Sequence, residues 1–133
     1  TLGIWLIGVG TVLGGGVQAA QGRESHPRAK SSQASFYGLE ACQANPDPAC
    51  PTASGRSLYA LIQQRIPYAA MWDVPLGSRW QVCGSRGCAE VVIWDRGPHR
   101  RLRRLIDLNP TSFQVVCGAL SQGVCQVSVA ALP

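Results

Sequence analysis

The first nineteen residues carry no charged side chain. Thr1 to Ala19 runs through Leu2, Ile4, Trp5, Leu6, Ile7, Val9, Val12 and Leu13 and closes on Val17-Gln18-Ala19-Ala20. A charge-free run ending in small residues reads as the apolar part of a secretory signal with its cleavage site. Its basic start and an initiating Met are missing, so the sequence enters that signal partway. An uncleaved membrane anchor is the rival, since about 20 apolar residues cross a bilayer and Gly10 to Gly14 matches a small-xxx-small packing pattern. Residues 1–20 are therefore expected to be a signal peptide or an anchor. Residues 21–33 lack any hydrophobic period and carry Pro27, so they read as a flexible tether. Cys-x-x-Cys spacing is also missing and His26 lies in the tether, which argues against a zinc site; no metal and no cofactor are expected. No internal repeat stands out.

About 113 residues follow the leader, enough for one domain with a modest core. A core that small needs staples, and six cysteines are present. An even number behind an export signal points to an oxidising compartment and three disulfides. Spacing suggests short loops, with Cys83 and Cys88 across a hairpin, Cys117 and Cys125 joining a helix end to a strand, and Cys42 and Cys50 closing a Pro-rich loop. Sequence alone leaves the pairing open.

The formal net charge of +5 is concentrated rather than spread. His99-Arg100-Arg101-Leu102-Arg103-Arg104 holds four arginines. In an exported chain such a run fits an anionic envelope polymer or an acidic lipid surface better than nucleic acid, and a solvated loop is the plain alternative. The chain is expected to bind no nucleic acid and to be a monomer.

Strands are expected at Ala34–Gly38, Ser78–Cys83, Cys88–Trp94 and Val124–Val129. In the third of these Ala89, Val91 and Ile93 face one side and Glu90, Val92 and Trp94 the other. A short helix fits Ser57–Ile66, stopped by Pro67. Asn109 can cap a second helix that has Pro110 at its first position and Phe113, Val116, Cys117 and Leu120 at helical spacing. Trp80 is expected in the core. Short strands with brief helical interruptions point to a small closed or nearly closed barrel.

The most informative stretch is Glu90-Val91-Val92-Ile93-Trp94-Asp95-Arg96-Gly97-Pro98, followed by Leu105-Ile106-Asp107-Leu108-Asn109-Pro110. It brings one carboxylate to the mouth of an apolar strand and a second to another apolar segment just before a helix. Paired carboxyls suit glycan chemistry, because one can protonate a glycosidic oxygen and both can accept hydrogen bonds from sugar hydroxyls. Asp95 before Arg-Gly-Pro also suits a plain turn. Aromatic rings cover the apolar face of a pyranose, which makes Tyr37, Trp72 and Trp94 candidate contacts. Thr52 and Ser54 have hydroxyls that serve either a groove or their own turn, and Arg96 stands beside the first acid.

These motifs resemble the rare lipoprotein A family. Ala34-Ser35-Phe36-Tyr37-Gly38, Thr52-Ala53-Ser54-Gly55, Ala69-Ala70 with Val74-Pro75-Leu76-Gly77, Val91 to Pro98 and Arg104 to Leu108 occur in that family's order, over about residues 34–132 of the chain. The Asp-Arg-Gly-Pro segment coupled to Ile-Asp-Leu is the most specific part. The resemblance implies a six-stranded double-psi β-barrel with short helices over residues 34–133, related to expansins, barwin-like proteins and family 45 glycoside hydrolases. It implies an exported cell-wall protein acting on peptidoglycan glycan strands, in some members as a lytic transglycosylase. Asp95 matches the family's catalytic aspartate, and Asp107 matches the aspartate required for non-hydrolytic wall loosening in expansin-like relatives.

One departure matters. The family carries a histidine directly after the Ala-Ala pair, and this chain has Met71, whose thioether moves no proton. His99, four residues after Asp95, lies in the arginine-rich loop. Arg96 and its neighbours favour ionised carboxylates, which suits hydroxyl recognition over acid catalysis. Three readings follow: a protein binding or remodelling peptidoglycan through a groove centred on Asp95 and Asp107; an active transglycosylase with Asp95 as acid and base; and an expansin- or barwin-like polysaccharide binder, for which chitin oligomers are the test ligand.

Overall fold

The computed structural model describes residues 30–133. The expected signal or anchor and residues 21–29 of the tether lie outside the described residues. Six strands, β1 (Lys30–Phe36), β2 (Tyr68–Ala70), β3 (Arg79–Cys83), β4 (Cys88–Asp95), β5 (Ile106–Leu108) and β6 (Cys125–Ala131), close into one barrel. Around the barrel they run β1-β5-β2-β4-β3-β6. The β1–β5 and β2–β4 pairs are parallel and the other four antiparallel. Two helices, α1 (Leu58–Gln63) and α2 (Pro110–Cys117), pack outside the ring.

Alternating side chains fill the interior. Ala34, Ala69, Val82, Val91, Ile93, Ile106, Leu108, Val127 and Val129 point inward, and Phe113 and Val116 of α2 join the same core. In β4 the inward set is the one that the two-residue period predicts, with Val91 and Ile93 fully buried. β2 and β5 are three residues each, too short for a period to show in sequence. β1 begins at Lys30, four residues before the first apolar position, because Lys30–Ala34 pair with Val129–Cys125 of β6. Backbone pairing asks nothing of the side chains, so Lys30-Ser31-Ser32-Gln33 left no hydrophobic signal.

α2 starts as its residues dictate. Asn109 Oδ1 accepts from the Ser112 backbone N–H at 2.9 Å, Pro110 occupies the first turn, and Phe113 lies 4.8 Å from the Phe36 ring. Trp80, expected in the core, instead packs against it from a partly exposed position and donates its indole N–H to Ser78. A second apolar cluster of Leu58, Leu61, Tyr68 and the Cys42–Cys50 bridge lies on the outer side of the sheet, with Tyr37, Ile62, Ile66 and Trp94 packed against it. The other bridges join Cys83 to Cys88 across the β3–β4 hairpin and Cys117 to Cys125 between α2 and β6. Among the described residues no helix is long and apolar enough to cross a membrane.

Candidate functional site

Strand register places both acids beside one alanine. Ala70 at the end of β2 pairs with Asp107 of β5 on one side and Asp95 of β4 on the other, and Asp107 pairs in turn with Ser35 of β1. Paired residues on neighbouring strands project from the same face, about 4.8 Å apart per strand. Ser35, Asp107, Ala70 and Asp95 therefore form one row across the outer face, with the two acids' backbones about 10 Å apart. Each row member on β1, β5 and β2 has inward neighbours: Ala34, Ile106, Leu108 and Ala69 all lie in the core.

A β-bulge puts Asp95 in this row. Strict alternation would give Asp95 the inward direction of Ile93. The pairing instead steps from Ala69 with Ile93 to Ala70 with Asp95, leaving Trp94 as an extra residue. Ile93 stays fully buried while Asp95 turns outward beside Ala70. The alternation read from the sequence holds up to Trp94 and breaks there.

Asp95 is tightly held. Its Oδ2 accepts from the Tyr37 hydroxyl at 3.0 Å, and its Oδ1 accepts from the backbone N–H groups of Ala53 and Arg96, both at 2.9 Å. Burial, then the charge and hydrogen bond of Asp95, push the Tyr37 phenol far above its ordinary range, so it remains a donor. Tyr68 donates to the Tyr37 carbonyl at 2.8 Å and meets its ring edge-on. The Tyr68 phenol is itself pushed up to about 12, first by burial and then by Glu40 and Asp107.

Asp107 is held differently. Its one side-chain partner is the Ser35 hydroxyl, which donates to Oδ1 at 3.1 Å. Burial raises its carboxyl to about 6; the Ser35 bond and the Arg104 charge oppose the rise, and the charges of Asp95 and Glu40 add to it. The sequence pointed to Asp95 as the acid and to Asp107 as its modulator. In the structure Asp107 is the acid whose carboxyl burial raises. Ser35, missed in the sequence, is the positioning residue here; its only signal was two-residue spacing from Tyr37 on one strand face.

The other candidates are distributed around this row. Arg96 directs Nη1 to the carbonyls of Met71 and Val74, at 3.0 and 2.6 Å, and so clamps the segment after β2. Trp72 donates its indole N–H to the Pro98 carbonyl at 2.6 Å, with the Arg100 guanidinium 4.5 Å over its ring. Arg100 also pairs with Asp73, whose carboxyl it holds below the usual range. Trp94 has Arg56 4.1 Å above its ring, and Gly77 packs against the ring edge. Thr52 turns its hydroxyl to Ser54 Oγ and the Arg56 carbonyl, so it shapes the loop that brings Ala53 to Asp95. Met71 is buried in the barrel core, away from the row. His99 is exposed, and its Nδ1 accepts from the Arg101 backbone N–H. A cavity of about 620 Å³ opens on the Tyr68 side of the row, between Glu40, Ile66 and Pro110. Among the described residues no cluster of His, Cys, Asp or Glu is arranged to hold a metal.

No protein-family model matches the sequence, and no curated protein matches it. Solved structures do resemble the fold. An expansin of Clavibacter michiganensis in its apo form superposes with a TM-score of 0.59 at 16% identity, over 79% of this chain and 50% of that one. An aspartate-to-asparagine variant of that expansin, solved with cellohexaose, gives 0.58 at 14% identity over the same shares. A Streptomyces papain inhibitor gives 0.58 at 17% identity, over 82% of this chain and 98% of that one. The chain thus spans half the length of the expansin and nearly all of the inhibitor. The closed six-stranded ring is a double-psi β-barrel of the kind these proteins share.

Proposed function

We propose that this protein binds a cell-wall polysaccharide without hydrolysing it, holding the chain across the outer face of β1, β5, β2 and β4. The observation that carries this reading is the row in which Asp95 and Asp107 flank Ala70. Ala70 is buried between them while both acids stay partly exposed, and carboxylates accept hydrogen bonds from sugar hydroxyls that a plain apolar groove rejects. An expansin of the same fold solved with cellohexaose supports a saccharide as the ligand. Peptidoglycan is the polymer we favour, on the resemblance of the Asp95 and Asp107 motifs to the rare lipoprotein A family. The three disulfides fit an oxidising, extracytoplasmic compartment.

The test is co-sedimentation of the protein with purified sacculi, cellulose and chitin, followed by mass spectrometry of the soluble fraction. The expected result is protein in the sacculus pellet, less of it for Asp107→Ala, and no released anhydro-muropeptides. Protein that stays in the supernatant with all three polymers would sink the proposal.

A transglycosylase reading has one observation in its favour. A carboxyl raised to about 6 is tuned for proton transfer near neutral pH. Against it, Asp95 has both oxygens engaged by donors, and Met71, at the family's histidine position, lies in the core. Anhydro-muropeptides that vanish in Asp107→Asn would decide for catalysis.

A further inference from the structure

The arginine-rich segment and the acid row occupy the same end of the barrel. β2 ends at Ala70 and β4 at Asp95, while β5 begins at Ile106, one residue before Asp107. The chain leaving β2 carries Trp72 and Asp73, and the β4–β5 connection carries all four arginines of the run; Arg100 joins the two through Asp73 and the Trp72 ring. The connection is a built structure. Trp72 holds the Pro98 carbonyl, and Arg100–Leu102 form a 3-10 turn capped by His99 and closed by Arg103 in the left-handed region. At its far end Arg104 lies near enough to Asp107 to oppose the rise of its carboxyl, and Leu105 bonds back to Gln33 of β1.

Arg100 is engaged by Asp73 and the Trp72 ring and Arg104 lies near Asp107, whereas Arg101 and Arg103 project from an exposed turn and form no ion pair with a described residue. Among the described residues Asp73 is the acid that forms an ion pair with the segment. A neutral polysaccharide would use the acid row and leave this charge unanswered. A polymer with an anionic substituent on its sugar would use both, with hydroxyls over Asp95 and Asp107 and the carboxylate or phosphate over the arginines.

We infer that the groove selects a saccharide bearing carboxylate or phosphate groups, read by Arg101, Arg103 and Arg104 beside the aspartate row. The inference rests on the proposed saccharide groove and names its substrate class. Planar guanidinium groups suit both anions through paired hydrogen bonds. A turn held by capping and stacking loses little freedom on binding. Leu102, half-exposed at the centre of the turn, adds apolar contact that a sugar ring can use.

The experiment titrates the full chain with three probes: oligogalacturonate, its methyl-esterified neutral form, and poly(glycerol phosphate), which carries phosphate without a sugar ring. Each is measured at about 20 and about 200 mM salt. Oligogalacturonate is expected to bind on the order of tenfold more tightly than the neutral form at low salt, with most of that advantage lost at high salt. Arg101→Gln with Arg103→Asn should erase the advantage and keep neutral binding; both positions are exposed, and Asn tolerates the left-handed backbone at 103. Asp107→Ala should weaken both saccharides. Equal affinity for the charged and neutral forms would overturn this inference and leave the saccharide groove standing. No binding of either saccharide would overturn the groove itself. Poly(glycerol phosphate) bound as tightly as oligogalacturonate, with neither affected by Asp107→Ala, would reduce the segment to a general polyanion patch and also overturn the inference. A melting curve for each variant establishes that it is folded.

Discussion

The two ends of the aspartate row are built on opposite principles. At the β4 end, three donors converge on Asp95: a phenol fixed by Tyr68 and two backbone N–H groups, one of them delivered by the loop that Thr52 and Ser54 shape. Its position is overdetermined, and the loop depends on it as much as it depends on the loop. At the β5 end, Asp107 has one hydroxyl for company, and burial raises its proton affinity. One acid is a structural joint. The other is a strained charge that stability alone would not select, and residues of that kind mark binding sites and active sites.

The contrast predicts stability effects of opposite sign. Asp95→Ala removes the acceptor for three donors at once, and donors left without partners each cost about 1–3 kcal/mol when water cannot reach them. Two of the three lie in part-buried contacts, so the variant should lose roughly 2–4 kcal/mol in denaturant unfolding. A loss below about 0.5 kcal/mol would mean that the loop around Ala53 stands without Asp95, and the joint description would fail.

Asp107→Asn should do the reverse. The folded carboxyl is raised to about 6 from an ordinary 3.8, so between those values the folded state binds a proton that the unfolded chain has released. Stability from this group is fully present below the unfolded value and declines as pH rises through the folded one. Near pH 7 the ionised carboxylate therefore costs on the order of 2 kcal/mol, and Asn, which keeps an acceptor for Ser35, should recover much of it. The wild-type melting temperature should fall from pH 4 to pH 7 by more than that of Asp107→Asn. Parallel pH profiles for the two proteins would remove Asp107 from the account.

What the sequence made legible follows from the same physics. β4 and α2 were readable because eight residues are enough for a period and because Asn109-Pro110 marks a helix start. The disulfide loops were readable from spacing. β2 and β5 were not, since three-residue strands buried by their neighbours carry no pattern of their own. Both acids were picked out by their motifs, but the motif does not encode the bulge at Trp94 or the burial that Asp107 meets between β1 and β2. Arg96, Trp72 and Thr52 were chosen for proximity in sequence, and their polar atoms turn out to hold the loops that frame the row. Partnering of that kind depends on carbonyls that only the folded backbone brings within reach.

Tyr37→Phe tests the firm end more gently. It deletes a single donor to Asp95 and leaves both backbone donors and the edge contact with Tyr68. A hydrogen bond to a charged acceptor in a part-buried place contributes about 1–2 kcal/mol, so the expected loss is about 1 kcal/mol. Saccharide affinity should drop with it if the freed Oδ2 swings out of the row. A stability loss with unchanged affinity would assign Tyr37 to the fold alone.

The smallest effect concerns the ring beside the row. Arg56 is exposed and covers one face of Trp94, an arrangement contributing about 0.5 kcal/mol at the surface, so Arg56→Ala should scarcely alter unfolding. Its use lies in what it uncovers. Gly77 packs at the edge of the same ring, and Arg56 lies over one face of it. If that ring takes part in saccharide binding, the guanidinium must move aside first, and its removal should strengthen binding severalfold. Unchanged affinity after Arg56→Ala, in a protein that still binds saccharide through the aspartate row, would place Trp94 among the packing residues of the outer apolar cluster and narrow the groove to the two acids and their small-residue floor.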